Sequence, residues 1–289
     1  MTERVTVTEP GVYEDMDEAI YHADPVPGGS LSSTGARALL PPGTPAKFNY
    51  ERGKTIHKRE WDLGTAAHSI VLGTGAEVVI LDFPNYLTKE AKEARNGARA
   101  AGQVPLLMHE WEDVQAMVMS IRRHPIAGPL FTEGSGKAEQ SFFWPDPRTG
   151  VWRRARLDWL KPAPDGGRAI VVDLKSTVAA DLESVEKTIA RYAYHQQGAF
   201  YLDAVRDLGI DPDPAFVLVF VEKTPPFQVH VIQLDAYTLR LGDARNRAAI
   251  DLYKTCTDTG TWPGYPTDIT IASLPIWQAR LDEEEYLTQ

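Results

Sequence analysis

The sequence predicts an α/β domain in which helices flank a mixed sheet, and three observations carry that expectation. Beyond Pro129 the hydrophobic period changes from about 3.6 to about 2, the step from helix spacing to strand spacing. Three strand candidates then follow one another with DPRTG and PAPDGG as turn chemistry between them, the pattern of antiparallel hairpins. Finally, a long helical stretch separates them from the next strand, which is what a crossover to a parallel neighbour requires.

Taken in order, residues 1–29 form a polar N-terminal segment, broken at 25–30 by PVPGGS. Ser30–Leu40 reads as a short helix with Ser/Thr caps, stopped by Pro41-Pro42. A second short helix fits Pro45–Arg52. Trp61–Leu72 is apolar on most sides, as a buried helix should be, and ends at Gly73. Lys89–Ala101 and Glu110–Arg123 carry helical spacing, the latter with Trp111, Val114, Met117 or Val118, and Ile121 on one side. The strand candidates are Gln140–Trp144, Trp152–Leu160 and Ala169–Leu174. A single helix over Asp181–Leu208 follows, then strands Phe216–Val221 and Gln228–Leu234 and a helix Ala236–Lys254. The expected organisation is one domain over 30–265, mainly helical over 30–128 and sheet-bearing over 129–265, with a C-terminal tail over 266–289 whose LDEEEYLTQ is solvated.

Composition removes several classes of function. The longest apolar run, Ala215–Val221, falls far short of the roughly 20 residues that cross a bilayer, so no membrane association is expected. Acidic residues occupy the N-terminus where a secretory signal needs basic ones, which predicts a cytoplasmic protein. The single cysteine, Cys256, forbids an intrachain disulfide, a multi-cysteine zinc site and an iron–sulfur cluster held by four cysteines. Thirty basic residues against forty acidic ones give a net charge of −10, which by itself argues against nucleic acid.

Chemistry concentrates at Asp158 and, fifteen residues on, Asp173-Leu174-Lys175. Residues two apart on a strand share a face, so Asp173 and Lys175 project together while Leu174 points into the packed layer. Were the preceding strand its neighbour, Asp158 would reach the same place. Two carboxylates and an ammonium suit hard, oxygen-seeking Mg²⁺, with the lysine orienting water or stabilising charge on phosphorus. The triplet alone is also a common surface strand end. Its context is less ordinary, because the charges close an otherwise apolar strand. Gln197 and Tyr201 lie four apart on the following helix and share a face. His68 lies within WDLGTAAHSIVL, where a histidine is usually a satisfied core residue.

GTAAH at 64–68, Glu139 in AEQSFFW, RARLDWL with Asp158, VVDLKST with Asp173 and Lys175, and YHQQGAFY with Gln197 and Tyr201 together resemble the PD-(D/E)xK nuclease superfamily. Within it the sequence is most similar to RecE-type exonucleases (exodeoxyribonuclease VIII-like) of phages and prophages, over residues 20 to 265. The resemblance implies a restriction-endonuclease-like mixed central sheet. It implies His68, Asp158 and Asp173 as metal ligands, the backbone carbonyl of Leu174 and the Glu139 carboxylate completing the shell, and Lys175 as the catalytic lysine. Gln197 and Tyr201 would contact the DNA backbone or position Lys175. Leu157 stands where the superfamily usually has proline.

What the resemblance further implies is degradation of linear double-stranded DNA from its ends, 5′ to 3′, with Mg²⁺ or, in its place, Mn²⁺. It also implies a ring-shaped homo-oligomer and a RecT-like single-strand annealing partner in phage-type recombination. A structure-specific or single-strand nuclease, or a non-catalytic DNA-binding module, are the alternatives. Arg154 and Arg156 share a strand face with Asp158, which makes them candidates for holding phosphates beside the metal. Arg52, Lys54, Lys58 and Arg59 form a second basic group, and Trp61, Trp144, Trp152 and Trp159 are aromatic candidates for strand separation or for the core.

Overall fold

The computed structural model describes residues 5–52, 54, 62–163 and 167–287. Lys58, Arg59 and Trp61 lie outside the described residues. The chain opens with β1 (Gly11–Tyr13), α1 (Glu18–His22), β2 (Leu31–Ser32), α2 (Ser33–Leu39) and α3 (Pro45–Glu51). Ser32 and Thr44 cap α2 and α3 through side-chain oxygens that accept from Gly35 N–H and Lys47 N–H. Next come α4 (Asp62–Leu72), β3 (Val78–Leu81), α5 (Lys89–Ala100), β4 (Val104–Leu107), α6 (Met108–Arg123) and α7 (Ala127–Leu130). The sheet-forming half holds β5 (Lys137–Pro145), β6 (Trp152–Lys161), β7 (Ile170–Thr177), α8 (Leu182–Tyr192), α9 (Tyr194–Asp207), β8 (Ala215–Glu222), β9 (Val229–Gln233) and α10 (Ala236–Thr259). A last helix, α11 (Ile276–Asp282), runs into a π turn over Glu283–Leu287.

The main sheet has the order β1-β5-β6-β7-β8-β9, with β2 alongside β6. Its pairings are antiparallel except for β7 with β8 and β2 with β6, which are parallel. The expected α/β class with a mixed, helix-flanked sheet is therefore the observed one. Both faces are covered. Phe216, Leu218 and Phe220 of β8 pack with α2, α9 and α10, whereas Val219 and Val221 pack with α4 and α6. A strand buried on both faces reads as a continuous apolar run, which explains AFVLVFV. Trp144 and Trp159 are buried in these cores, and Trp152 packs beside the N-terminal one.

Four features depart from the sequence reading. Residues 1–29 are not merely a polar lead-in: β1 pairs with β5, and Val7, Met16, Tyr21 and Val26 form a small core against Phe143. Leu31–Ser32, expected as the start of a helix, is instead a short strand beside Arg153 and Arg154. β3 and β4 form a separate parallel pair that carried no expectation. The single helix over Asp181–Leu208 is two, broken at Ala193 in the left-handed conformation (φ 53°, ψ 44°). Beyond Pro266 no described residue is buried, and Ile269 and Ile271 stand fully in solvent.

One detail of register makes the site. β5 and β6 pair along nearly their whole length, but β6 pairs with β7 only at Trp159–Lys161, and with β2 only at Arg153–Arg154. Between those contacts the edge of β6 is open, and β7 continues away from it along β8 to Thr177. The sheet thus forks at Asp158 and Asp173.

Candidate active site

The β5–β6 register places Glu139 opposite Asp158, and the β6–β7 register continues that row to Asp173. Three carboxylates on three adjacent strands thereby line the mouth of the fork. Glu139 sits at a kink with φ 50°, a left-handed conformation that turns its side chain out of the regular strand alternation.

Each helical layer adds a face to the site. From α4, His68 places Nε2 2.9 Å from Asp158 Oδ2 and Nδ1 3.4 Å from Glu139 Oε1. Gly64 permits that approach, since a Cβ there would lie 2.8 Å from Ser176 Oγ at the end of β7. From α9, Gln197 Nε2 donates to Asp173 Oδ1 at 2.9 Å and to the Tyr201 hydroxyl at 3.0 Å. Lys175 pairs with Asp173 Oδ2, and its ammonium lies 5.0 Å from the centre of the Tyr194 ring. Leu174 N–H donates to Asp158 Oδ2 at 2.8 Å. Because a strand residue presents N–H and C=O to the same neighbour, the Leu174 carbonyl faces the same gap.

The electrostatics follow from burying like charges together. Burial and then the Asp158 charge push Asp173 up to about 6, against the pull of Lys175. Burial and Asp158 likewise raise Glu139, opposed by His68 and Arg156. For His68 burial works against the charged ring, but Asp158 and Glu139 outweigh it and raise the imidazole to about 9. Asp158 is held below its ordinary range: burial opposes this, while His68, Lys175 and the Leu174 amide favour the anion. Lys175 is raised because Asp173 and Asp158 overcome its desolvation. A protonated imidazole between two carboxylates is a position where a cation is stable.

The sequence matches the family described as "PDDEXK-like domain of unknown function (DUF3799)" over residues 45–273. The chain belongs to that PDDEXK-like family. The superfamily identified from its motifs is therefore the right one, and Asp158 with Asp173-Leu174-Lys175 falls inside the matched span. A solved structure of a candidate exonuclease from Eubacterium rectale superposes with a TM-score of 0.54 at 13% identity, covering 87% of this chain and 92% of that one. That likeness shows the restriction-endonuclease-like fold. The structure of SSO0001 aligns with a TM-score of 0.27 at 12% identity over 65% of this chain and 85% of that one, too low to carry an argument. No curated protein matches the sequence significantly.

The residues of this PDDEXK-like site fit a divalent cation. Ligand atoms of His68, Glu139 and Asp158 all lie within 4.8 Å of one another. Asp173 Oδ2 is buried and meets the Lys175 ammonium in an ion pair. Carboxylate oxygens with one imidazole make a hard donor set that suits Mg²⁺ or Mn²⁺. Asp158, Glu139 and His68 would hold the ion, with Asp173 beside them.

Gln197 donates to Asp173, the ion-pair partner of Lys175, and Tyr201 accepts from Gln197. Nη1 of Arg154 pairs with Asp24 and donates to the carbonyl and hydroxyl oxygens of Ser30. Arg156 pairs with Glu139 at 2.6 Å and donates to Met16 O and Ser141 Oγ. The sequence reading assigned no role to Tyr194. Its spacing of three from Gln197 places the two on one helix face, the signal that would have found it.

Proposed function

We propose that the protein is a divalent-metal-dependent nuclease that hydrolyses the phosphodiester bonds of DNA. The observation that carries this reading is the row Glu139–Asp158–Asp173 across a forked sheet, with Lys175 in the same gap. Such costly clustering of buried charge has no structural use that uncharged residues would not serve better. A bound Mg²⁺, or Mn²⁺ in its place, supplies polarisation of a phosphoryl oxygen and a water of lowered pKa. Lys175, placed by Asp173 and by the Tyr194 ring, offsets the charge that grows on the phosphoryl group. Gln197, itself held by the Tyr201 hydroxyl, fixes the Asp173 carboxylate, and Arg156 fixes Glu139.

The motif resemblance supports a finer reading. The substrate is linear double-stranded DNA entered at its ends, degraded 5′ to 3′ in phage-type homologous recombination. On the same ground the protein is a homo-oligomeric ring that works with a RecT-like annealing partner. The test is degradation of end-labelled linear duplex in Mg²⁺, with covalently closed circular duplex alongside. Linear DNA is degraded and circular DNA spared, and Lys175→Ala or Asp158→Asn lowers the rate about a hundredfold or more. Full activity in both variants would overturn the assignment, and equal attack on circles would replace exonuclease by endonuclease.

A further inference from the structure

Lys175 flanks the middle ring of an aromatic column that climbs from the core to the surface. Phe220 of β8 packs against Tyr194 with centroids 6.3 Å apart, and Tyr194 stacks on Tyr192 at 5.7 Å with the rings 20° from parallel. The Lys175 ammonium lies 5.0 Å from the Tyr194 centroid, and the Arg191 guanidinium 5.5 Å from that of Tyr192. Phe220 is fully buried, whereas Tyr192 is 43% exposed. The column therefore leaves the protein next to the catalytic lysine.

An unbroken helix could not build it. Residues two apart on an α-helix point about 200° away from each other and do not meet. Tyr192 and Tyr194 stack only because Ala193 between them adopts a left-handed conformation, which is unfavourable for a residue with a Cβ. No glycine or proline dictates that break. Arg37 of α2 holds it from the other side, its Nη1 donating to Tyr192 O at 2.8 Å. A strained junction, retained where a smooth helix was available, puts one tyrosine into solvent beside the candidate active site.

We propose that Tyr192 and Tyr194 form a stacking platform for a single unpaired nucleobase of the strand whose phosphate lies at Lys175. This rests on the nuclease reading and deepens it. Aromatic faces interleaved with arginine and lysine are the usual means of holding unpaired strands, and they tolerate any base because every base has a π face. The platform thus holds the terminal nucleotide of a frayed end, indifferent to its sequence.

The test uses the full chain and a linear duplex with 2-aminopurine as its terminal nucleotide, with Ca²⁺ replacing Mg²⁺ during binding. The wild-type protein quenches the fluorescence on binding. Tyr192→Phe preserves the quenching, while Tyr192→Leu abolishes it and weakens binding about five- to hundredfold. Absence of quenching by the wild type, or equal quenching and affinity in Tyr192→Leu, overturns the platform. So does failure of a folded Tyr192→Phe, which would assign the effect to the hydroxyl group. Quenching without hydrolysis when Mg²⁺ is restored sinks the nuclease reading alone. Hydrolysis with an unaffected Tyr192→Leu variant sinks the platform alone.

Discussion

Gln197 Nε2 stands 2.9 Å from Asp173 Oδ1 and 3.0 Å from the Tyr201 hydroxyl, so a single amide joins α9 to the carboxylate at the sheet's fork. Asp173 is wholly buried, and a buried anion deprived of a donor costs about 1–3 kcal/mol. Gln197→Ala should lower the turnover of linear duplex about tenfold to hundredfold by that argument. Gln197→Glu should be worse, because it replaces the donor with another anion facing Asp173. Steady-state rates of the two variants check the order; equal rates would show that Gln197 merely fills space.

His68, Glu139 and Asp158 form a cluster that could hold a metal ion, with Arg156 behind Glu139. Calorimetric titration with Mn²⁺ should therefore show binding to the wild type that His68→Ala and Glu139→Gln each weaken by about tenfold or more. Arg156→Ala should weaken it less, since Glu139 keeps its charge and loses only its orientation. Retention of full affinity by His68→Ala would remove the imidazole from the site.

Which parts of this arrangement were legible depends on how local their causes are. β5 to β9 are readable because period-2 alternation and turn residues lie within each segment. The fork is not, since it arises from how far β6 and β7 pair, a property of two segments at once. Asp158, Asp173, Lys175 and Gln197 were singled out through motif spacing. The contacts of Arg154 with Asp24 and Ser30, and of Arg156 with Met16, were hidden because those partners lie more than 120 residues away. The break at Ala193 left no trace, RYAYHQQ being good helix sequence throughout.

Arg154 separates a structural role from a DNA-binding one. A residue that contacts phosphate contributes about one unit to the slope of log affinity against log salt. Arg154→Ala should leave that slope unchanged and lower thermal stability, because Asp24 and Ser30 lose the group that fastens the N-terminal segment to β6. A reduced slope with unchanged stability would return Arg154 to the DNA.

Gly198, next to Gln197, lets α9 lie close on the sheet: a Cβ at that position would be 2.5 Å from Phe216 Cδ1. Phe216 is itself buried and has no room to retreat. Gly198→Ala should cost about 1–3 kcal/mol in chemical denaturation, the usual penalty of overpacking a core. It should also reduce activity by lifting Gln197 from Asp173. Loss of stability without loss of activity would mean that Phe216 moves and α9 does not.

The last prediction concerns Asp203, on the same helix but remote from the fork. Burial pushes its carboxyl up to about 6, helped by Asp243 and Asp207 and opposed by Arg153 and Arg206. The folded value lies above the ordinary 3.8, so between these two values the folded state binds more protons than the unfolded one. Stability from this group is therefore greatest below pH 3.8 and declines as pH rises through about 6. At about 1.4 kcal/mol per unit, the ionised carboxylate costs up to about 3 kcal/mol at neutral pH. Asp203→Asn removes that cost while leaving the buried Arg153 paired with Asp207 and Asp146. The variant should melt higher than the wild type at pH 7.5, and the gap should shrink as pH falls toward 4.5. A gap that stays constant across this range, or a variant less stable at pH 7.5, would show that the Arg153–Asp203 attraction outweighs the burial of the carboxylate.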